Sequence, residues 1–233
     1  MIVLTGDTHG EFNRFSNSKL KLQCDPIADI SHIIILGDAA LIWDPIQTPT
    51  EKYWLDWFAE KPYEILAVKG NHENHERINR LPMVEKYGAP LYKVTDNVYY
   101  FEHGYKYTIN NKSFFIFGGA DSIDKEQRKY RVTWWEEEIP SAANFRTGVQ
   151  TCEDNNYTFD YVLTHTAPLS AIKKLENYSE RFKDPTVTAL DFFENKMKCC
   201  LWCFGHFHES RHFVSKGINF SALYYDFIKL ETD

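Results

Sequence analysis

Short runs of apolar, β-branched or aromatic residues recur along the chain, each followed by a small or polar loop: Ile2 to Leu4, His32 to Leu36, Glu64 to Val68, Ser113 to Phe117, Tyr161 to Leu163 and Leu201 to Phe204. Runs of this length bounded by turn residues predict buried β-strands. Between the second and third runs, Thr48-Pro49-Thr50-Glu51 has the pattern of a capping box with proline in the first helical position. Tyr53, Trp54, Trp57 and Phe58 follow at helical spacing, and a helix is predicted there. Asp184-Pro185 opens another, with Val187, Leu190 and Phe193 on one face, and Ser141 caps a less strongly patterned one running toward Cys152. The aromatic stretches Val98 to Phe101, Tyr105 to Ile109 and Phe220 to Ile228 read as further, antiparallel strands, and a second sheet is expected. Strands and helices alternate without a repeat, linker or break in composition, so residues 1–233 are expected to form one α/β domain.

Composition narrows the function classes. The 233 residues are 43% hydrophobic and 25% charged, with 11 Gly and 9 Pro, which excludes disordered and collagen-like chains. The longest apolar runs, such as Ile33 to Leu36, fall far short of the roughly 18 residues that span a bilayer, so no membrane role is expected. A net charge of −7 repels nucleic-acid polymers, and a nucleic-acid partner is not favoured without a local positive source. Met1-Ile2-Val3-Leu4 enters Thr5-Gly6-Asp7 with no basic or apolar leader, and five unevenly spread cysteines fit reduced thiols. Both point to a cytoplasmic protein.

The residues after the strands change the picture most. The first strand ends in Gly6-Asp7-Thr8-His9-Gly10, the second in Gly37-Asp38 and the third in Gly70-Asn71-His72-Glu73. The Tyr161 strand ends in Thr164-His165, and the Leu201 strand in Gly205-His206-Phe207-His208. Five strand ends thus deliver Asp7, His9, Asp38, Asn71, His165, His206 and His208. Open α/β sheets gather ligands outside the carboxyl ends of their strands, so loops far apart in sequence can converge. Asp7 and His9, like His206 and His208, are separated by one residue and would point the same way in extended backbone, each pair a pincer. Two carboxylates, one amide oxygen and four imidazoles suit manganese, with iron, zinc or nickel as alternatives. Two ions about 3.5–4 Å apart would need one carboxylate to bridge them. With both aspartates ionised and a hydroxide between the ions, a formal surplus of about +1 remains to attract phosphate.

The ordered series Gly-Asp-x-His-Gly, Gly-Asp, Gly-Asn-His-Glu, His and Gly-His-x-His resembles the calcineurin-like metallophosphoesterase superfamily, over Asp7 to His208. That resemblance implies a four-layer α-β-β-α sandwich of two mixed β-sheets flanked by helices, the metallo-dependent phosphatase fold. It implies two divalent ions, one held by Asp7, His9, Asp38 and His208 and the other by Asp38, Asn71, His165 and His206. Asp38 would be the bridge, and His72 the general acid over the substrate.

The departures carry information too. In the protein-phosphatase branch, the second motif continues to an Asp and an Arg, whereas Gly37-Asp38 here runs into Ala39-Ala40-Leu41-Ile42-Trp43-Asp44. A dedicated Ser/Thr protein phosphatase is therefore not expected, and Asp44 is either a substitute partner for His72 or a turn residue before Pro45. The stretch Gly118-Gly119-Ala120-Asp121-Ser122-Ile123-Asp124-Lys125-Glu126-Gln127-Arg128 resembles bacterial and phage members. Arg128 there is either a bidentate phosphate ligand or a solvated loop residue, and Lys125 is a weaker candidate. Trp134 and Trp135 either stack a substrate ring or belong to the core. His72-Glu73-Asn74-His75 misses zincin spacing by one position, and Cys200-Leu201-Trp202-Cys203 lacks a second pair and reads as core thiols. Gly205-His206-Phe207-His208-Glu209-Ser210 lacks the Asp-His continuation of metallo-β-lactamase-type hydrolases.

The expected activity is hydrolysis of a small phosphomonoester or phosphodiester by in-line attack of a metal-bridging hydroxide, with Asn71 and Arg128 on the substrate. The missing Arg of the second motif leans toward diesters or small nucleotides. A nuclease is the enzymatic alternative, and a non-catalytic scaffold on the same fold is the alternative of another class.

Overall fold

The computed structural model of the protein describes residues 1–176 and 178–230. Strands β1 (Ile2–Thr5), β2 (His32–Ile35) and β3 (Glu64–Ala67) lie parallel, side by side. Three more follow: β4 (Met83–Lys86), β5 (Ala89–Lys93) and β6 (Val98–Phe101). The second sheet is built from β7 (Tyr105–Ile109), β8 (Lys112–Phe117), β9 (Tyr161–Thr164), β10 (Leu201–Phe204), β11 (Arg211–Ser215) and β12 (Ile218–Ala222). Strand β13 (Phe227–Leu230) returns to the first sheet. The orders are β13-β1-β2-β3-β6-β5-β4 and β11-β12-β10-β9-β8-β7, so both sheets are mixed.

The aromatic stretches are strands, but not uniformly antiparallel ones. β6 pairs parallel with β3 and antiparallel with β5, whereas β7 is antiparallel to β8. The stretch from Phe220 to Ile228 is two strands in different sheets: β12 runs parallel to β10, and β13 antiparallel to β1. Leu223 to Asp226 cross between the sheets. The hairpin β4-β5 and strand β11 escape a reading based on apolar runs, because β4 and β11 alternate with exposed or half-exposed residues at sheet edges.

Helices α1 (Asn17–Cys24), α2 (Pro49–Ala59), α3 (His75–Ile78), α4 (Ala142–Asp154), α5 (Leu169–Ile172) and α6 (Pro185–Glu194) flank the sheets. Thr48 caps α2 by accepting from the Glu51 amide at 3.2 Å. The Glu51 carboxylate does not close the box; both its oxygens engage Arg77 at 2.7 Å, tying α2 to α3. Tyr53 is exposed, and the buried face of α2 centres on Leu55 and Phe58. Ser141 and Asn144 form a reciprocal capping box for α4, and Asp184 caps α6 through the Thr186 and Val187 amides.

Three apolar layers separate these elements. Leu20, Leu55 and Phe58 pack under Ile33 and Ile65 outside the first sheet, and Cys152, Val187, Leu190 and Phe193 under Phe115 and Phe117 outside the second. Between the sheets, Leu4, Ile34 and Leu66 meet Phe114, Ile116, Leu163 and Cys203. This is the α-β-β-α sandwich. Each fully buried Phe contributes roughly 1.5–3 kcal/mol. All five cysteines are free; Cys203 is a core thiol as expected, but Cys200 is exposed because it precedes β10.

Candidate metal centre

The parallel strands β1, β2 and β3 of one sheet and β9 and β10 of the other end at a common rim. Asp7, Asp38, Asn71 and His165 are buried there, His206 is half-buried, and His9 and His208 are exposed. The pincers do not arise from extended backbone. His9, Asp38, His206 and His208 have φ of 45°, 48°, 68° and 51°. Left-handed non-glycine residues cost about 1–3 kcal/mol each and cluster where function holds them. Two glycines admit close approach: a Cβ on Gly70 would lie 2.2 Å from Asp38 Oδ1, and one on Gly205 2.2 Å from Asp7 Oδ1.

Six of the seven predicted ligands, together with the predicted acid His72, converge in three groups whose donor atoms lie within 4.8 Å of one another: Asp7 with His9 and His208, His9 with Asp38 and His72, and Asp38 with His165 and His206. His9 Nε2 is 2.9 Å from His208 Nε2. Asp7 Oδ1 accepts from the His206 amide at 2.9 Å, and Asp38 Oδ1 from the His72 amide at 2.7 Å. Asp7 Oδ2 is buried and receives no hydrogen bond. His208 Nε2 lies 3.1 Å from it, an ion-pair contact.

His165 gives the clearest sign of a cation site. Its Nδ1 donates to the Leu36 carbonyl at 2.8 Å, because a carbonyl only accepts. Its Nε2 faces Asn71 Oδ1 at 2.9 Å and Asp38 Oδ1 at 3.3 Å. Three acceptors meeting in a buried space need a positive charge between them, so the residues present fit a divalent ion. Without one, a proton takes its place: burial opposes the charge, but Asp38, Asp7 and the Leu36 carbonyl outweigh it and raise His165 to about 9. Burial disfavours Asp38 ionisation, yet His165 outweighs that and holds the carboxylate well below its ordinary range. Burial and His165 push His206 down to about 3, leaving a neutral imidazole, and the Asp7 contact raises His208.

His72 stacks on Trp43 with centroids 5.9 Å apart, and burial is the main cause lowering its pKa. Arg128 reaches it: Nη2 is 2.6 Å from His72 Nε2, and Nε pairs with Asp124 Oδ1 at 2.8 Å. Asp44 is not the partner of His72. Its backbone carbonyl accepts from Asn74 and Arg77 instead. Lys125 is bound to Asp121, Trp135 is buried in the core, and Trp134 donates to Glu138, so the tryptophans are framework here.

Sequence reasoning missed the buried braces. Glu73 accepts from the Ala39 amide and the Tyr100 hydroxyl, both at 2.8 Å, and so holds the turn after Asp38. Burial and the Asp38 charge push it up to about 8. His75 Nε2 donates to the Gly70 carbonyl at 3.0 Å. Asn71 Nδ2 donates to Ser122 Oγ at 3.0 Å, which in turn donates to Glu138. The only signal for Glu73 was its place in the Gly-Asn-His-Glu run, and for His75 its place in the rejected run His72 to His75; Ser122 stood in the Gly118 to Arg128 stretch, and Glu138 carried none.

No curated protein matches the sequence. Among solved structures, the phosphopantetheinyl hydrolase of Mycobacterium tuberculosis aligns at TM-score 0.49 and 18% identity, over 96% of this chain and 89% of that one. A Staphylococcus aureus protein described as a 5'-nucleotidase, in complex with alpha-ketoglutarate, aligns at TM-score 0.50 and 15% identity. The match covers 97% of this chain but 48% of that one, and it shows a shared fold. GAP50, described as the anchor in the inner membrane complex of Plasmodium, aligns at 0.49 and 9% identity, over 96% and 70% of the two chains. The family model for calcineurin-like phosphoesterases matches residues 1–210, a span that contains all five strand-end loops, and the chain belongs to that family.

Proposed function

We propose that residues 1–233 act as a single-domain, dinuclear metal-dependent phosphoesterase on a small phosphomonoester or phosphodiester. Asp7, His9, Asp38 and His208 would hold one ion, and Asp38, Asn71, His165 and His206 the other, with Asp38 shared and manganese the first candidate. The observation that carries this reading is the meeting of His165 Nε2, Asn71 Oδ1 and Asp38 Oδ1 in a buried space, beside an Asp7 oxygen that no donor satisfies. When bound there, divalent ions supply an activated water and positive charge for phosphoryl transfer.

The chain's own residues do the rest. Arg128 exchanges its contact with His72 for a phosphate oxygen, a geometry its guanidinium suits. That exchange frees His72 Nε2 and removes a positive neighbour, so His72 can take a proton and pass it to the leaving oxygen. Trp43 holds the ring from its face. The net charge of −7 disfavours a nuclease. The complete ligand set disfavours a scaffold without turnover. Free cysteines and the lack, among the described residues, of a helix long and apolar enough to cross a membrane are compatible with a cytoplasmic enzyme.

The test is elemental analysis of purified protein, coupled to manganese-supplemented hydrolysis of matched aryl phosphate monoester and diester substrates. Two metals per chain with turnover is the expected result, and the preferred ester assigns the substrate class. No bound metal and no turnover would replace this reading with the scaffold.

A further inference from the structure

We propose that Ser122 and Glu138 are positioning residues whose hydrogen bonds decide which end of the Asn71 amide faces the ligand cluster. This rests on the reading of Asn71 as a metal ligand. All three side chains are buried, with Ser122 and Glu138 each 1% exposed and Asn71 3%.

Direction follows from donor and acceptor chemistry. Glu138 Oε1 receives the Ser122 amide at 2.8 Å and Trp134 Nε1 at 2.7 Å, and Oε2 receives the Ser122 hydroxyl at 2.9 Å. An ionised carboxylate only accepts, so the single hydroxyl proton of Ser122 is committed to Glu138. What Ser122 Oγ has left is acceptor capacity, and Asn71 Nδ2 fills it from 3.0 Å. Asn71 Oδ1 is thereby turned away from Ser122, to 2.9 Å from His165 Nε2. An amide turned end for end would present N–H donors to the cluster in place of an oxygen that can bind a cation. The same carboxylate anchors Trp134, and Arg128 Nη1 contacts the Thr133 carbonyl, so one buried acid braces both the amide and the segment beside Arg128.

Glu138→Gln reverses the relay without changing its shape. The Ser122 amide and Trp134 Nε1 keep an oxygen at the Oε1 position, so the new NH2 occupies the Oε2 position and donates to Ser122 Oγ. The Ser122 proton is then free to point at Asn71, whose amide must turn its oxygen to accept it. Asn71→Asp presents oxygen at both ends and has no direction to lose. In that background, Glu138→Gln should cost nothing further.

The experiment is calorimetric titration of the metal-free, full-length protein with manganese chloride at about pH 8, above the Glu138 value of about 7 that burial produces. Outer partners of metal ligands typically control affinity by about 10–100-fold. Glu138→Gln is expected to weaken one of two manganese sites by that factor, with the metal-free melting temperature retained. It should cause no loss of affinity in the Asn71→Asp background, where the freed Ser122 proton meets an oxygen whichever way the carboxylate lies. Ser122→Ala should weaken the same site, and Ser122→Thr, which keeps the hydroxyl, should restore it. Unchanged affinity in Glu138→Gln overturns the proposal, as does an equal loss in both Asn71 backgrounds. If Glu138→Gln does not fold, equal affinities of Ser122→Ala and Ser122→Thr overturn it. A wild-type chain that binds no manganese overturns the metal reading itself, and this inference with it.

Discussion

Arg128 Nη2 lies 2.6 Å from His72 Nε2. A guanidinium can only donate, so Nε2 is an acceptor here and a neutral His72 carries its proton on Nδ1. The ring is thus not an acid at Nε2 until Arg128 leaves. Burial lowers its pKa most, Asp38 opposes, and Arg128 and His9 lower it further.

This contact makes a kinetic prediction. Loss of a positioned general acid typically costs 10²–10⁴-fold, so His72→Ala should lose about 10²-fold or more on esters with alkoxide leaving groups and far less on activated aryl phosphates. Equal losses on both substrates remove His72 from that role. Arg128→Ala should raise KM and move the His72 titration of metal-free protein, followed by NMR, toward the ordinary imidazole value. A His72 titration that does not move argues against the coupling.

Asp7 Oδ2 is a buried carboxyl oxygen that receives no hydrogen bond, so metal binding should stabilise the fold by linkage. At a hundredfold excess over Kd the expected gain is about 2.7 kcal/mol. For a chain of this size that corresponds to a rise in Tm of roughly 5–10 °C. Asp7→Asn keeps an acceptor for the His206 amide, so its metal-free Tm should stay near wild type while most of the manganese-induced rise disappears. A full rise in Asp7→Asn would exclude Asp7 as a ligand.

Gly205 is a packing requirement of the site. An added Cβ would sit 2.2 Å from Asp7 Oδ1 and 2.9 Å from the Leu36 carbonyl, neither of which is the loose end of a long side chain. Overpacking of this kind costs about 1–3 kcal/mol. Gly205→Ala should therefore lower Tm in a thermal melt and weaken manganese binding together, since relief of the clash displaces Asp7. Wild-type affinity in this variant would show that the loop can shift without moving the carboxylate.

What could be read from the sequence follows from how local each signal is. The six apolar runs became β1, β2, β3, β8, β9 and β10 within a residue or so, because buried parallel strands announce themselves as continuous apolar segments. β4 and β11 did not, since an edge strand can alternate like a loop. The seven ligand candidates stood next to strand ends and so were visible, but the reason for their convergence was misread: left-handed backbone at His9, His206 and His208 aims them, not a two-residue repeat. Arg128 and Ser122 meet the site from more than 50 residues away through side-chain contacts. Contacts of that separation leave no periodic trace in one sequence, and the burial that gives Glu73 and Glu138 their roles is a tertiary property.

The proton on His165 yields the sharpest pH prediction. Its value of about 9 in the metal-free protein stands above the ordinary imidazole value. Stability from that proton is therefore complete below about pH 6.5, and it is lost as pH rises through about 9. A divalent ion needs the same Nε2 lone pair, so binding must expel the proton in that window, whereas His206, at about 3, is already neutral. Calorimetry of manganese binding at about pH 7.5, repeated in buffers of different ionisation enthalpy, counts the protons released. At least one proton per chain should leave at that pH, and fewer near pH 9, with affinity rising between them. A heat independent of buffer at both values would mean that no proton occupies the place of the metal, and the cation site around His165 would have to be abandoned.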